Sequence, residues 1–334
     1  MARFGFTFPL DGLPLHAHKD VLQEAERLGY TDAWSAEIDG VDCFTPLALA
    51  AAWTDKLQLG TAIANVYTRA PLTLAISANA IAEAAPNRFA LGLGAGSSVI
   101  VDQWGGVPFE KPYQRVRDVN RIVRRALAGE KVVAEMETTR TNGFKLSRQL
   151  APAPPTYIAA LRPGMLRLAG AESEGAIINW LGAEDVPKCV EAAHEGARRA
   201  GKDPSKTEIV CRIFVCMIED QGTIEFLGRR MIAAYLNVPV YAAFHEWLGR
   251  ADALRGMWDA WNAGDRKAAT AAIPRQAIDD LLVFGDAATC RRKIQAYVDG
   301  GVTVPVLNFI AVGATPEQRA EQSLAMMRAL APKA

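Results

Sequence analysis

Phe89–Ser98, with the sequence FALGLGAGSS, is the stretch that decides the fold of this chain. An apolar run leads into glycines at positions 92, 94 and 96, which indicates a buried strand that ends in a tight loop. Glycines at a strand end leave backbone N–H groups uncovered, so a flat or phosphorylated ligand can approach closely. Ser97 stands where the dinucleotide fingerprint G-x-G-x-x-G needs its third glycine, and no helix is predicted there. The loop is therefore a candidate cofactor site, but not of the nicotinamide-binding kind.

Strand-like and helix-like patterns alternate on both sides of this loop. The predicted strands are Phe4–Pro9, Asp32–Glu37, Leu57–Ala64, Phe89–Leu93, Thr156–Ala160, Gly175–Trp180, Glu208–Ile218 and Val304–Ile310. Most are followed by a predicted amphipathic helix, and this repetition implies a parallel sheet. Eight strands in 334 residues predict an α/β fold, a single-domain (β/α)8 TIM barrel spanning residues 1–334.

Two segments interrupt the alternation and are predicted to be insertions. Residues of about 135–155 are rich in Thr, Asn, Gly and Pro, which predicts an exposed hairpin and linker. Residues of about 222–284 form a helical block between the seventh and eighth strands, rich in large apolar side chains. This block either roofs a pocket or contacts another subunit.

The composition excludes several classes of partner. Thirty-seven basic and 37 acidic side chains cancel, so no nucleic-acid partner is expected. No apolar run is long enough to cross a bilayer, and the first residues lead directly into a strand, so a cytoplasmic protein without a membrane partner is expected. The five cysteines are scattered, without ligand spacing, and predict buried free thiols and no metal site.

In a barrel, functional residues lie where the strands end. Polar or aromatic candidates at these ends are Glu37, Asp39, Asn65, Trp180, Asn308 and Phe309. At the fifth strand end, Pro163 suits the first position of a helix, which leaves the N–H groups of the next residues free to bind a phosphate. Arg162 could close on the same anion. An ordinary helix start with a solvated arginine explains this segment equally well.

The order of these motifs resembles the luciferase-like flavin and deazaflavin oxidoreductases. The resemblance is nearest to the branch that uses coenzyme F420, which includes methylenetetrahydromethanopterin reductase. The stretches that carry it are Leu59–Ala62, Pro86–Gly96, Phe109–Pro112, Tyr157–Ala160 and Arg162–Gly170, in that order. Similarity continues through Gly175–Asn179, so it covers most of the chain.

This resemblance implies a barrel of the bacterial-luciferase type, with the cofactor ring across the carboxyl mouth and a phosphate-bearing tail near Pro163. A non-prolyl cis peptide at Ala62-Ile63 or Ile63-Ala64 is implied at the end of the third strand. The implied cofactor-binding residues are Ala62, Ile63, Asn65, Gly94, Ala95, Gly96, Ser97, Ala159, Ala160, Leu161, Arg162, Pro163, Gly164 and Met165. The implied substrate pocket contains Asp39, Trp180, Asn308 and Phe309.

The chain departs from the pattern of this family at two positions. Many deazaflavin members have an Asp-His pair after the second strand, where this chain has Ala36-Glu37, and often an acid where it has Ser97. Glu37 is the natural substitute as general acid or base, because a desolvated carboxyl can have its pKa raised toward neutrality. Alternatively, Glu37 pairs with an arginine such as Arg69 and only shapes the pocket.

The expected function is hydride transfer between coenzyme F420 and a small organic substrate, by a homodimer. The first alternative is a two-component monooxygenase that uses FMN and receives electrons from a separate flavin reductase. The second alternative is a flavin-binding protein without catalytic activity. The sequence does not identify the substrate.

Overall fold

The computed structural model describes residues 3–332 and shows a closed barrel of eight parallel strands within them. The barrel strands are β1 (Gly5–Thr7), β2 (Asp32–Ser35), β3 (Gln58–Thr61), β4 (Phe89–Gly94), β5 (Thr156–Ala159), β6 (Gly175–Asn179), β7 (Glu208–Cys216) and β8 (Val304–Phe309). Each strand pairs with the next one in the chain, and β8 pairs with β1, which closes the barrel. The predicted (β/α)8 barrel is confirmed.

Helices surround the barrel and also form the insertion after β7. They are α1 (His18–Leu28), α2 (Thr45–Trp53), α3 (Pro71–Ala84), α4 (Pro112–Leu127), α5 (Pro163–Glu172), α6 (Val186–Arg199), α7 (Gln221–Tyr235), α8 (Pro239–Leu248), α9 (Ala251–Asn262), α10 (Arg266–Ala271), α11 (Arg275–Leu281), α12 (Ala287–Asp299) and α13 (Pro316–Ala329). Proline opens many of them, where its missing N–H costs no helical hydrogen bond. Among the helices of residues 3–332, none combines the length and apolarity that a membrane span requires.

Smaller elements decorate the barrel. Val132–Glu135 and Arg140–Phe144 pair as an antiparallel hairpin, and Val283–Phe284 adds a short parallel strand to the end of β7. Val99–Trp104 forms one π-helical turn, where the sequence predicted no helix. This prediction was wrong because the buried Val101 anchors the turn, its N–H bonding to the Ser97 carbonyl at 2.9 Å.

Three apolar clusters form the interior. The largest lies between the barrel and its helices, the second fills the lumen around Trp34, Ile177 and Val306, and the third lies within the insertion. Parallel strands are covered on both faces, which explains their nearly continuous apolar sequences. The five cysteines, all inside the described residues, are buried and free as expected.

An ionic plug closes the amino end of the barrel. Arg3 binds both Asp32 and Glu208, and the hydroxyl of Tyr157 donates to Glu208. The indole N–H of Trp34 also donates to Asp32, at 3.3 Å. Within residues 3–332, these side chains and the apolar residues above them fill the lumen, which leaves the carboxyl end as the entrance for a ligand.

Helices α7 to α11 make up the insertion, which we call the lid. Its apolar core includes Ile232, Leu254 and Ile278, and it continues into Trp180 and Phe214 at the ends of β6 and β7. The lid therefore packs on the carboxyl end of the barrel, beside the mouth.

Candidate active site

Inward-facing side chains at the carboxyl ends of the strands surround the mouth of the barrel. Side chains alternate between the lumen and the helix layer along a strand, which places Thr7, Ala159, Asn179, Arg212 and Asn308 toward the lumen. Each is partly exposed although its neighbours along the strand are buried. Since the amino end is closed, solvent reaches them through the carboxyl mouth, which makes the mouth the entry point for a ligand.

One side of the mouth, which we call the apolar side, consists of Ala62, Ile63, Gly94 and Ala159, from the ends of β3, β4 and β5. The Ala62-Ile63 peptide bond is cis, at one of the two positions implied by the family resemblance. A Cβ at Gly94 would lie 2.8 Å from Ile63 Cγ1 and 3.1 Å from Ala159 Cβ. Only glycine at position 94 therefore lets Ile63 pack across the strand ends.

Gly92 has a similar internal role. A Cβ there would lie 1.9 Å from the carbonyl oxygen of Thr61, whose hydroxyl bonds to both the N–H and the C=O of Gly92 at 2.8 Å. The sequence suggested that the strand-end glycines leave room for a ligand. For Gly92 and Gly94 the structure gives a different reason for glycine. The end of β3 occupies the space that a side chain would need.

The loop after β4 presents unused backbone donors. Within residues 3–332, the N–H groups of Ala95, Gly96 and Ser97 donate to no protein acceptor. Asn65 is buried and braces this loop, because its Nδ2 donates to the Ala95 carbonyl at 3.4 Å and its Oδ1 accepts the Tyr67 N–H at 2.8 Å. The three amides are thus held in place beside the apolar side.

The neighbouring loop between β5 and α5 offers a second set of donors. The sequence suggested that the N–H groups after Pro163 are free. The N–H of Leu166 is not, because it donates to the Arg162 carbonyl at 3.0 Å. Among the described residues, the N–H groups of Gly164 and Met165 find no such acceptor. Apart from its chain neighbours and the backbone of its own helix, no atom lies within 4 Å of a Cβ placed at Gly164. Arg162 is exposed and pairs with no acid among the described residues. This helix start therefore has the free amides and open space that an anion site needs.

The remaining cofactor candidates of this segment differ in their exposure. Ala160 is 2% exposed, and its N–H bonds to the Ile177 carbonyl at 2.9 Å, so its side chain belongs to the core. Leu161, Pro163 and Met165 are partly exposed around the start of α5. Thus Ala160 supports the loop, while its neighbours border the anion site.

The opposite side of the mouth, which we call the polar side, consists of Thr7, Asn179, Arg212 and Asn308. Arg212 Nε donates to Thr7 Oγ1 at 3.3 Å, and its Nη2 donates to Asn308 Oδ1 at 2.9 Å. No acidic side chain of residues 3–332 pairs with Arg212. Burial lowers the pKa of Arg212 below its usual value, although the guanidinium stays charged at any physiological pH.

Aromatic side chains connect the polar side to the lid. Trp180 packs on Phe214 and on Tyr235 with ring centroids 4.4 and 4.6 Å apart, and Tyr241 meets the edge of Tyr235 at 5.9 Å. Arg212 lies over the ring of Phe214, 5.4 Å from its centroid. Burial raises the pKa of Tyr241 to about 12, so its hydroxyl remains a hydrogen-bond donor at neutral pH, next to the Asn179 side chain.

Glu37 lies in an ion pair at the edge of the mouth. Arg69 Nε donates to its two carboxylate oxygens at 3.2 and 3.0 Å, and the Arg69 guanidinium stacks over Phe44. This hydrogen bond raises the pKa of Arg69. Both residues line a cavity of about 440 Å³ that also contacts Asn65 and Ile100. The contact that the sequence offered as an alternative, Glu37 with Arg69, is therefore present.

The predicted substrate residues do not all meet at the mouth. Asn308 does, whereas Asp39 is exposed on the loop after β2, and Phe309 is buried on the outer face of β8 among the barrel helices. Trp180 is only 1% exposed, inside the aromatic cluster. Within residues 3–332, no three potential metal ligands cluster together.

Sequence reasoning missed Arg212. The signal was present, because Glu208–Cys216 reads EIVCRIFVC and its one cation falls at an inward position between apolar residues. Tyr235 and Tyr241 were visible only as part of an aromatic-rich insertion, since nothing in the sequence tells which lid residues turn toward the barrel.

Comparisons with known proteins agree with this geometry. A family model described as luciferase-like monooxygenase matches residues 4–304. The 5,10-methylenetetrahydromethanopterin reductase of Methanolobus tindarius is 31% identical over 220 residues, which cover 65% of this chain and 66% of that protein. The coenzyme F420 dependent tetrahydromethanopterin reductase of Methanopyrus kandleri has a similar structure, with a TM-score of 0.78, 23% identity and 97% of each chain covered.

A monooxygenase has the same fold. The oxygenating constituent of 3,6-diketocamphane monooxygenase from Pseudomonas putida, a structure in complex with FMN, gives a TM-score of 0.67 at 17% identity, covering 100% of this chain and 98% of the other. The chain belongs to the luciferase-like monooxygenase family. It is an enzyme, an oxidoreductase with the barrel of that family.

Proposed function

We propose that this enzyme transfers a hydride between coenzyme F420 and a small organic substrate at the mouth of the barrel. The observation that carries the proposal is the apolar side, a surface of small side chains bordered by free amides, at the strand ends of a chain similar to an F420 dependent reductase. When bound, the deazaflavin would supply a hydride to an activated C=C or C=N acceptor, or remove one from a carbinol.

The residues of the mouth fit such a cofactor. Ile63 and Ala159 offer aliphatic contact to a flat ring, and the free N–H groups of Ala95, Gly96 and Ser97 suit ring oxygens that gain negative charge. The amides of Gly164 and Met165, with Arg162, suit a phosphate. Gly164 is well suited to this role because the space beside it is open.

We propose that Glu37 positions other groups and does not donate the proton. A carboxylate that accepts hydrogen bonds from both Nε and Nη2 of Arg69 is engaged as an acceptor, and the pair fixes the wall of the 440 Å³ cavity. The Tyr241 hydroxyl, which lies beside Asn179, is another group at the mouth that can hold a proton.

The alternative is an FMN-dependent monooxygenase that receives electrons from a flavin reductase. It is favoured by the description of the family model and by the FMN-bound monooxygenase structure of similar fold. A flavin-binding protein without turnover is the other alternative, because the Asp-His pair of many deazaflavin members is replaced by Ala36-Glu37.

Two assays separate these functions, an anaerobic one with reduced F420 and an aerobic one with reduced FMN. Reduced F420 is mixed with the protein and with a panel of unsaturated, imine and carbonyl compounds, and the return of the oxidised cofactor absorbance is followed. Acceptor-dependent oxidation without oxygen supports the proposal. Turnover that requires reduced FMN and oxygen overturns it in favour of the monooxygenase, and tight cofactor binding with no turnover favours the non-catalytic protein.

We also propose a cytoplasmic homodimer that contacts neither nucleic acid nor membrane. The buried free thiols suit a reducing compartment. Leu72 and Ile76 are exposed on α3, 42% and 47%, and the adjacent helix α2 carries no charged side chain. Light scattering of the wild type and of Ile76→Glu tests this proposal, and a wild-type monomer would contradict it.

A further inference from the structure

We infer that the polar side binds the carboxylate of an anionic substrate, with Arg212 as its counter-ion. The inference rests on the proposed function only in calling this ligand the substrate. It deepens that function by naming the chemical class that faces the cofactor site from across the barrel.

The first argument is the unused hydrogen-bonding capacity of Arg212. A guanidinium has five N–H donors. Two are used inside the protein, toward Thr7 Oγ1 and Asn308 Oδ1, and no further acceptor among residues 3–332 receives one. Because Arg212 is partly exposed at the mouth, the remaining N–H groups are available to a ligand.

The second argument is charge. A cation that is partly withdrawn from water and has no acidic partner is costly, and proteins normally pair such groups. The ionisable side chains nearest Arg212 are Tyr235 and Tyr241, and neither carries a carboxylate. Arg250 of the lid, by contrast, is paired with Asp185. A ligand anion is the missing partner.

The third argument selects a carboxylate over a phosphate. A planar guanidinium binds a carboxylate through two parallel hydrogen bonds. The hydrogen-bond partners of Arg212, Thr7 and Asn308, carry no formal charge, so one guanidinium charge would balance one negative charge of the ligand. A phosphate dianion would remain half unpaired. Tyr235 and Tyr241 of the lid give the body of the substrate aromatic contact.

The fourth argument is position. In the closed order of the barrel, β7 lies four strands from β3, which places Arg212 across the mouth from Ile63. A substrate held at Arg212 by its carboxylate would extend toward the apolar side. The two ligands of the reaction would thus meet above the centre of the barrel.

Calorimetry with matched acids and amides tests this inference. The probes are acetate, benzoate, phenylacetate and cyclohexanecarboxylate, each compared with its neutral amide, at constant ionic strength on the full chain with and without F420. We expect at least one acid to bind about tenfold more tightly than its amide, which corresponds to about 1.4 kcal/mol. If no acid is preferred to its amide, the inference is overturned.

Two variants assign the preference to Arg212. Arg212→Met should remove it, and Asn308→Asp should also remove it by supplying an internal carboxylate 2.9 Å from Nη2 while keeping the hydrogen bond. Arg230→Met, at an exposed position of lid helix α7, should keep the preference of the wild type. An acid preference that survives in either variant in its folded form contradicts the inference, so the test still works if the other variant folds poorly.

The outcome is separable from that of the proposed function. Binding of F420 without any acid preference would leave the hydride-transfer proposal intact and remove only the carboxylate site. An acid preference that depends on Arg212 in a protein that binds no F420 would establish the anion site and remove the proposed function.

Discussion

The apolar and polar sides of the mouth belong to one closed barrel, yet they are built from opposite kinds of residue. On the apolar side, Gly94 lets Ile63 pack over the strand ends, and the polar groups beside this surface are backbone amides. On the polar side, Arg212 and its neighbours present side-chain donors under an aromatic lid. The difference shows how one barrel can hold two different ligands on opposite sides of its mouth. A flat ring needs small side chains, whereas an anion needs a fixed positive charge.

The largest effect is expected from Gly94→Val, which disrupts the apolar side alone. A Cβ at this position already meets Ile63 and Ala159 at 2.8 and 3.1 Å, so a branched side chain must displace the surface that would hold the ring. We expect the Kd for F420, measured by calorimetry, to rise by about 100-fold. Gly256→Ala in lid helix α9, where the nearest atom would be 3.5 Å away, is the control.

The acid-over-amide preference at the polar side should survive in Gly94→Val. A variant that binds F420 as the wild type does would show that the apolar side is not the floor of the cofactor site.

A smaller effect concerns the lid that covers the polar side. His245 on α8 is buried, and its ring nitrogens have no hydrogen-bond partner among the described residues. Burial, and then the nearby Arg250 charge, lower the pKa of His245 to about 3. In the unfolded chain, His245 binds a proton below its ordinary pKa of about 6.5, whereas in the folded chain it does so only near pH 3. The free energy of unfolding therefore decreases as the pH falls from 6.5 toward 3.

We expect His245 to cost about 2 kcal/mol of stability between pH 7 and pH 5. His245→Leu should flatten the decline of Tm over this range, while His16→Leu, at an exposed position, serves as the control. Hydrogen exchange should rise in α8 of the wild type at pH 5 before it rises in β3 to β5. Equal slopes of Tm against pH in the wild type and His245→Leu would contradict this account of the lid.

The smallest effect is expected from Glu37→Gln. This substitution tests whether Glu37, at the edge of the mouth, takes part in proton transfer. The substitution weakens a partly exposed ion pair with Arg69 but preserves an acceptor, so we expect kcat/KM to fall by no more than about fivefold. The pH profile of kcat should keep its shape. If one limb of the wild-type pH profile of kcat is lost in Glu37→Gln, Glu37 transfers a proton and the prediction is wrong.

The barrel was predictable because its signals are local. Most strands are largely apolar, as parallel strands covered on both faces require, and most helices begin near a proline or polar residue. Several predicted boundaries lie close to those of the structure. The fourth strand ends at Gly94, one residue later than predicted, and α5 begins at Pro163 as expected. The lid was found as a helical block, but its division into five helices was not predicted.

The site was predictable only where a backbone motif defines it. The free amides of Ala95 to Ser97 and of Gly164 follow from glycine and proline positions in the sequence. Contacts between distant strands, such as Arg212 with Thr7 and Asn308, depend on the closure of the barrel, which no local pattern specifies. Phe309 was misplaced for a related reason, because one residue of register decides whether a side chain faces the mouth or the helices.

The central claim is tested most directly by parallel calorimetric titration of the wild-type protein with coenzyme F420 and with FMN at one ionic strength. The account predicts that F420 binds at least about tenfold more tightly than FMN. Tighter binding of FMN, or binding of neither cofactor, would contradict it.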